Sequence, residues 1–449
     1  MKADLRLFLW DKAKEVVEKE RDSQRLQQNQ SSIMCSMMTA LAQMSVADKN
    51  YIHLHFLAPK GFLRKDVVKG MYETLRSEFE KLHERGNAIV STETDQLTTL
   101  STPNTTLANV SNTPLGASLN TSSSSSSILS IAASFSSALI LTSSPNSQMV
   151  SNSKATQECL DRLAAHICGQ LVHYVRARIE MMEIYEKITI VSNHKFLLFD
   201  ECINGLQEII RVNGRHFHHP ILSAIKTGFN NECDILMALL KAHTDIQNFR
   251  FLDSLFGIQE AQTKLSSWAQ MSLNRESPQR RNSILRTTAS PPPLYQWMCR
   301  LKSSLLSKYS LYFYSTLSKQ VSDNCSNDIK TVCSKQSIDY IQKVCSFQRK
   351  TEAQFVAILF DTHGCDDYKG FGYYSPYKSF ESPKGIDSIP IIYNYPSEVP
   401  KNHLPTIIMI MNNKSKELNS SDAVVSLFDS QLNSTYFLIR PDPRMTLIV

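Results

Sequence analysis

The chain has 449 residues, 42% apolar and 20% charged, long enough for two or three domains with sizeable buried cores. Its 48 Lys and Arg against 42 Asp and Glu leave a net charge of +6, a mild excess that by itself implies neither nucleic acid nor an acidic membrane as partner. Thirteen glycines, against an ordinary usage of roughly 7%, favour long helices over glycine-rich phosphate loops, and the composition excludes collagen, a fully disordered chain and a small disulfide scaffold.

At the N-terminus, Leu5 to Trp10 is too short for the apolar core of a secretory signal, and Asp11-Lys12 follows at once. Asn-x-Ser/Thr matches such as Asn104, Asn120 and Asn433 are then chance products of Ser/Thr richness. Ser32 to Leu57 is an apolar segment rich in Met and Ala. Val68, Met71, Tyr72, Leu75, Phe79 and Leu82 recur at three- and four-residue steps, one face of a helix. From Ser91 to Ala155 nearly half the residues are Ser or Thr, and only Glu93, Asp95 and Lys154 carry charge. Such a stretch buries too little apolar surface to offset its ordering entropy, so a disordered insertion is expected over 91–155. Its most apolar window, Ile128 to Leu141, falls short of the ~20 residues a membrane-spanning helix needs.

Further amphipathic stripes follow: Leu160 to Met182, Phe199 to Ile210, Ile225 to Leu240 and Phe251 to Trp268. Each leaves one apolar face to be buried, so residues 1–273 are expected to form a helical bundle. Residues 274–293 carry Arg275, Arg280, Arg281 and Arg286 and end in Pro291-Pro292-Pro293. They read as a basic linker with a stiff end, ahead of a second domain over 294–449. That domain opens with a long helix from Trp297 to Leu317 and a shorter one through Ile338, Ile341 and Val344. Apolar runs at Phe355–Asp361, Ile389–Tyr393, Thr406–Met411, Ser434–Ile439 and Met445–Val449 are expected as strands. Asn412-Asn413 closes the third, Pro441-Asp442-Pro443 joins the last two as a hairpin, and Asp422–Phe428 is expected as a helix. The fold class is α + α/β: a helical bundle, then an α/β domain with a mostly antiparallel sheet.

No P-loop, GxGxxG, GxSxG, HExxH or kinase signature is present. Ten cysteines include no Cys-x-x-Cys pair, which points to reduced, buried thiols and gives no zinc finger or thioredoxin-type site. Gly370-Phe371-Gly372 lacks the Lys and Ser/Thr of a phosphate cradle, and its flanking tyrosines suit a hairpin loop. His216, His218 and His219 have no Cys or carboxylate at ligand spacing. They suit a helix-boundary turn whose imidazoles bond across the bundle. Asp361 and His363, with Asp366 and Asp367, are the best acid/base candidates, although a polar turn after a strand explains them equally well. Ser283 behind Arg280-Arg281 suits a basophilic kinase, and phosphate there would sit among the linker arginines. No catalytic residue, cofactor or metal is assigned, and the linker is read as solvated, not as a nucleic-acid or lipid site.

Several stretches resemble one family: Asp11-Lys-Ala-Lys14 with Val17-Glu-Lys-Glu-Arg21, Tyr185-Glu-Lys187, Phe217-His-His-Pro-Ile-Leu-Ser223, Thr263-Lys-Leu265 with Trp268, Pro383-Lys-Gly385, Ile407-Ile-Met-Ile-Met411, and Ser434-Thr-Tyr-Phe-Leu438 with Arg440-Pro441. They are similar to the KICSTOR subunit 2 family, from about residue 8 to 449 apart from the insertion and the linker. The resemblance implies a helical bundle followed by a profilin-like domain, and a non-enzymatic scaffold. It implies a cytoplasmic protein recruited to the lysosomal surface without entering the membrane. Its partners would be kaptin, an FG-GAP repeat protein and the seizure-threshold protein, and indirectly the GATOR complex. The function implied is restraint of target-of-rapamycin signalling when amino acids or glucose run short. It also implies that the chain stops, at Thr446 to Val449, short of a closing helix that would cover the sheet. Tyr373, Tyr374 and Tyr377 are the candidate partner contacts. The rival reading is a small-molecule or nucleotide-binding module centred on Asp361 and His363.

Overall fold

The computed structural model describes residues 10–27, 33–57, 66–98, 149–189, 199–273, 291–324, 329–365, 368, 370, 383–420 and 423–449. Two compact units emerge. The first comprises 1–183, 208–230 and 269–294, and the second 184–207, 231–268 and 295–449.

The helices are α1 (Trp10–Gln27), α2 (Ile33–Ile52), α3 (Val67–Thr98), α4 (Met149–Thr189), α5 (Phe199–Ile209), α6 (Ser223–Gln247) and α7 (Phe251–Leu273). In the first unit α2 is buried nearly all round, through Met34, Met37, Met38, Leu41, Met44 and Tyr51, which is why its sequence shows length and apolarity and no polar stripe. The stripe on α3 is buried at Val68, Tyr72, Leu75, Phe79 and Leu82. Both helices that flank the Ser/Thr-rich segment extend into it. α3 runs to Thr98 and α4 starts at Met149, and residues 99–148 lie outside the described residues.

α3 and α4 touch closely at Gly86, where an added Cβ would sit 2.1 Å from the Ala165 Cβ. Gly86→Ala is therefore expected to destabilise by about 1–3 kcal/mol through overpacking. That would reverse the gain of nearly 1 kcal/mol that alanine's helix propensity gives elsewhere. A urea midpoint equal to or above wild type would refute the close approach.

The second unit continues with α8 (Pro293–Tyr312), α9 (Tyr314–Asn324), α10 (Ile329–Cys333), α11 (Tyr340–Thr351), α12 (Leu404–Asn413) and α13 (Ser415–Leu418). The strands are β1 (Val356–Phe360), β2 (Ile391–Tyr395), β3 (Val425–Asp429), β4 (Ser434–Asp442) and β5 (Met445–Ile448). The sheet order is β2-β1-β5-β4-β3, with every pairing antiparallel, as the sequence suggested. Asp339 caps α11, its Oδ1 accepting from the Gln342 N–H at 2.9 Å.

Three expected elements differ. Thr406–Met411 is not a strand but the body of α12, and Asn412-Asn413 is its last turn. Ile407, Ile410 and Met411 are buried while Met409 is 51% exposed, a helical period that a six-residue apolar run conceals. Pro405 at the first turn, where its missing N–H matters least, suits a helix start. Asp422–Phe428, expected as a helix, gives β3 instead, pairing Ser426 with Phe437 and Phe428 with Thr435. The long helix expected over Trp297–Leu317 is interrupted at Phe313, between α8 and α9.

One face of the sheet buries Ala357, Leu359, Tyr436, Leu438 and Ile448 against Ile407, Ile410 and Met411 of α12. Alternation puts Val356, Ile358 and Phe360 on the other face. Phe360 there stacks on Phe249, with ring centroids 5.0 Å apart, and Phe249 packs against Phe313 at 4.6 Å. All five residues of β1 are buried, because both faces are covered.

Candidate functional site

The second face of the sheet is not covered throughout. Beyond β1 it presents Phe437 and Ile439 of β4, Leu447 of β5 and the adjoining Val424 and Val449. Phe347 and Thr351 of α11 form the opposite wall of a groove of about 590 Å³. Phe437 is 47% exposed, Phe347 46% and Val424 59%, apolar area of the kind that marks a protein contact. Lys343 and Lys350 lie four residues before and three after Phe347, hence on its side of α11. Neither they nor Arg349 makes an ion pair among the described residues, and α11 holds no acidic residue. The groove is therefore apolar along its floor, and the lysines of α11 are not among the residues that line it.

Under the same face lies a polar cluster that sequence reading missed. Asp442 is 3% exposed. It accepts from Lys308 Nζ at 3.0 Å, from the Tyr312 hydroxyl at 2.5 Å and from Gln247 Nε2 at 2.9 Å. Its orientation comes from a bulge. β4 pairs with β5 as Leu438↔Ile448 and Ile439↔Leu447, but then as Asp442↔Met445, one residue out of step. Unbroken alternation would put Asp442 on the face of Tyr436 and Leu438. The extra residue turns it to the face of Phe360, which pairs beside Met445. Pro441, which has no N–H to give a ladder, sits at the bulge.

Burial works against a charge on Asp442, yet Lys308 and the bonds from Tyr312 and Gln247 outweigh it and hold the carboxyl below the usual range. His243 is pushed down to about 3 by burial and then by Lys308, so it is neutral near pH 7 and accepts from Lys308 Nζ at 3.2 Å. Lys308 is thus the counter-ion. This constellation has no open position for a reactant, and it anchors the end of the β4–β5 hairpin to α6 and α8.

Asp361 and His363 meet, Asp361 Oδ1 accepting from both the His363 backbone N–H, at 3.0 Å, and its ring Nδ1, at 2.7 Å. The two side chains are on an exposed turn, braced by Arg444 donating to the carbonyls of His363 and Gly364. That is the polar turn after β1. Asp366, Asp367, Phe371, Gly372, Tyr373, Tyr374, Tyr377 and Ser283 lie outside the described residues. Among the described residues no group of three or more His, Cys, Asp or Glu could hold a metal ion, and no helix is long and apolar enough to cross a membrane.

His216 to His219 form the expected turn, between α5 and α6. It is bonded to α4 through Gln170, whose Oε1 accepts from the N–H groups of His218 and His219 at 2.9 and 2.8 Å.

Comparison with known proteins now adds to this geometry. Residues 2–112 and 125–449 match the family described as KICSTOR complex C12orf66 like. The KICSTOR subunit 2 of Danio rerio is 32% identical over 454 residues, which span 99% of this chain and 86% of that protein. The KICSTOR subunit 2 of Xenopus laevis is 31% identical over 449 residues, spanning 98% and 86%. The chain belongs to the KICSTOR complex C12orf66 like family.

Proposed function

We propose that this chain is a non-enzymatic scaffold subunit of a KICSTOR assembly. The observation that carries the reading is the match, over nearly its whole length, to proteins named KICSTOR subunit 2. The molecule's own chemistry is in keeping with it. Asp442 is walled in by its partners, Asp361 serves a turn, and the sheet leaves an apolar groove open. In this reading the chain assembles with kaptin, the FG-GAP repeat protein and the seizure-threshold protein at the lysosomal surface. There it helps to bring the GATOR complex into place and restrains target-of-rapamycin signalling when amino acids or glucose fall.

The groove is the contact surface in this proposal, together with Tyr373, Tyr374 and Tyr377. Its occupant is a segment of another subunit with large apolar residues, which its apolar floor suits. Affinity purification of the tagged full chain from cells should recover the other subunits in near-stoichiometric amounts. Phe437→Glu should reduce recovery of at least one of them about tenfold or more, because a charge on the groove floor has no partner there. Its melting temperature should stay close to wild type, Phe437 being half exposed. Trace recovery with the wild-type chain would refute the scaffold reading. Normal assembly of a folded Phe437→Glu would refute the groove alone.

A further inference from the structure

Arg440 is a buried cation without a counter-ion. It is 7% exposed, and it makes no ion pair among the described residues. Its Nη1 donates to Asn419 Oδ1 at 2.8 Å, while its Nε is buried and has no partner. A guanidinium cannot shed its proton to escape such a place, as a lysine or a histidine can. Burial works against its charge, and the carboxylate of Asp361 favours it. Asp361 does not supply the missing bond, however. Its Oδ1 is taken up by the backbone N–H and the ring of His363.

The sheet places a second unsatisfied group beside it. Leu438 of β4 and Ile448 of β5 pair on the face packed against α12. Two residues nearer the β4–β5 turn, and so on the same face, come Arg440 and Thr446. Arg440 stands where the register slips, but its bond to Asn419 keeps it on this side, because Asn419 follows Leu418 of the same core. Thr446, paired with Leu359 of β1 on its other flank, is fully buried, and its Oγ1 has no partner either. A charged donor and a hydroxyl, both buried and both unbonded, thus meet at one end of one sheet face. Buried polar groups in native folds are nearly always bonded, so a pair of exceptions at one place calls for a further group.

We propose that Arg440 and Thr446 form a binding site for a carboxylate, entered beside Asn419. Asn419 is exposed, so the site adjoins the surface on that side. With Nη1 given to Asn419, the open edge of the guanidinium is the one that carries the parallel N–H groups of Nε and Nη2. That edge matches the two oxygens of a carboxylate. The Thr446 hydroxyl adds a third donor. A carboxylate satisfies both unbonded atoms and supplies the counter-charge, whereas water supplies bonds alone. One cation balances one negative charge, and Asp361 on the same side of the sheet repels a second, which selects against a phosphate dianion. The carboxylate comes either from a free small acid or from an Asp or Glu side chain of a partner chain.

Thermal melting of the intact full chain tests this, at constant ionic strength, with chloride exchanged stepwise for acetate or for inorganic phosphate. Arg440→Met keeps the buried stem and removes the charge, so it reports what either salt does without the site. Relative to that variant, acetate should raise the wild-type melting temperature by about 2 °C or more and reach a plateau, and phosphate should do less. In chloride alone Arg440→Met should melt no lower than wild type, because the cation it removes is uncompensated there. Recovery of the other subunits by tagged Arg440→Met, an arm that rests on the scaffold reading, tells the two sources apart. A loss of about tenfold assigns the carboxylate to a partner's side chain, and unchanged recovery assigns it to a free acid. The site is overturned if acetate acts alike on wild type and Arg440→Met, or if phosphate outdoes acetate. It is overturned as well if Arg440→Met melts several degrees below wild type in chloride, since the fold would then satisfy the guanidinium by itself.

Discussion

Replacing Asp442 with alanine is expected to destabilise the second unit by about 3–5 kcal/mol, the range for removing one partner from a buried charged pair. The carboxylate is the acceptor for three donors at once, from Lys308, Tyr312 and Gln247. Without it the Lys308 ammonium keeps, among the described residues, the His243 ring nitrogen, and the Tyr312 hydroxyl loses the carboxylate that accepts from it in a buried position. Asp442→Asn keeps an acceptor for Tyr312 but removes the counter-charge, so it should fall between alanine and wild type. Replacing both charges, Asp442→Leu with Lys308→Met, should recover much of the loss, because an apolar pair carries no desolvation penalty. The sign with pH is fixed as well. A carboxyl held below its unfolded value contributes stability that is present above that value and lost as the pH falls through the folded one. The gap between wild type and Asp442→Asn should thus be constant near neutrality and narrow as the pH drops from about 5 toward 3. Denaturant melts of the single and double variants supply the cycle, and a loss under about 1 kcal/mol for Asp442→Ala would mean that water reaches the cluster.

That cluster also shows what the sequence could and could not disclose. Helices with a polar face, such as α3 with Val68, Tyr72, Leu75, Phe79 and Leu82, were legible because half-burial writes a 3.6-residue period into the residues. The β1 run from Val356 to Phe360 was legible from its length and apolarity. Residues 406–411 were not, since a short apolar run fits a strand and a buried helix equally, and only the burial of Ile407, Ile410 and Met411 separates the two. Asp442 was read as part of a turn. Its inward direction depends on a one-residue slip between β4 and β5, a pairing property that no single strand records. Gln170 gave no signal either, because its role depends on a turn almost 50 residues further along the chain. Pattern reading sees what one element does to its own residues. Sites assembled across elements need the register and the packing.

Asp48 sets up the second large effect, this time within the first unit. It sits on α2 at 3% exposure, in a helix otherwise given over to Met, Ala and Leu. Its Oδ1 accepts from the Tyr72 hydroxyl of α3 at 2.5 Å, and its Oδ2 from the Tyr174 hydroxyl of α4 at 3.1 Å. Tyr174 in turn accepts from Arg178 Nε at 2.9 Å. The Arg178 guanidinium lies over the Tyr51 ring, 4.4 Å from its centroid, and is itself 6% exposed. One carboxylate thus joins three helices and balances a buried cation through a tyrosine relay. Burial first, and then the Asp48 charge, push the Tyr72 phenol well above its ordinary range, so it stays a donor at any physiological pH. Asp48→Ala should destabilise by about 3–5 kcal/mol, since it removes a buried negative charge that accepts from two tyrosine hydroxyls and is linked through Tyr174 to a buried arginine. Tyr72→Phe removes one donor and leaves the charges balanced, so about 1 kcal/mol is expected. Asp48→Asn, which keeps an acceptor and loses the charge, should lie nearer to alanine than to Tyr72→Phe if the arginine dominates. Hydrogen exchange in peptides from α2 and α4 reads the effect where it arises. If Asp48→Asn matched Tyr72→Phe instead, the cluster would be held by its hydrogen bonds and not by the charge of Asp48.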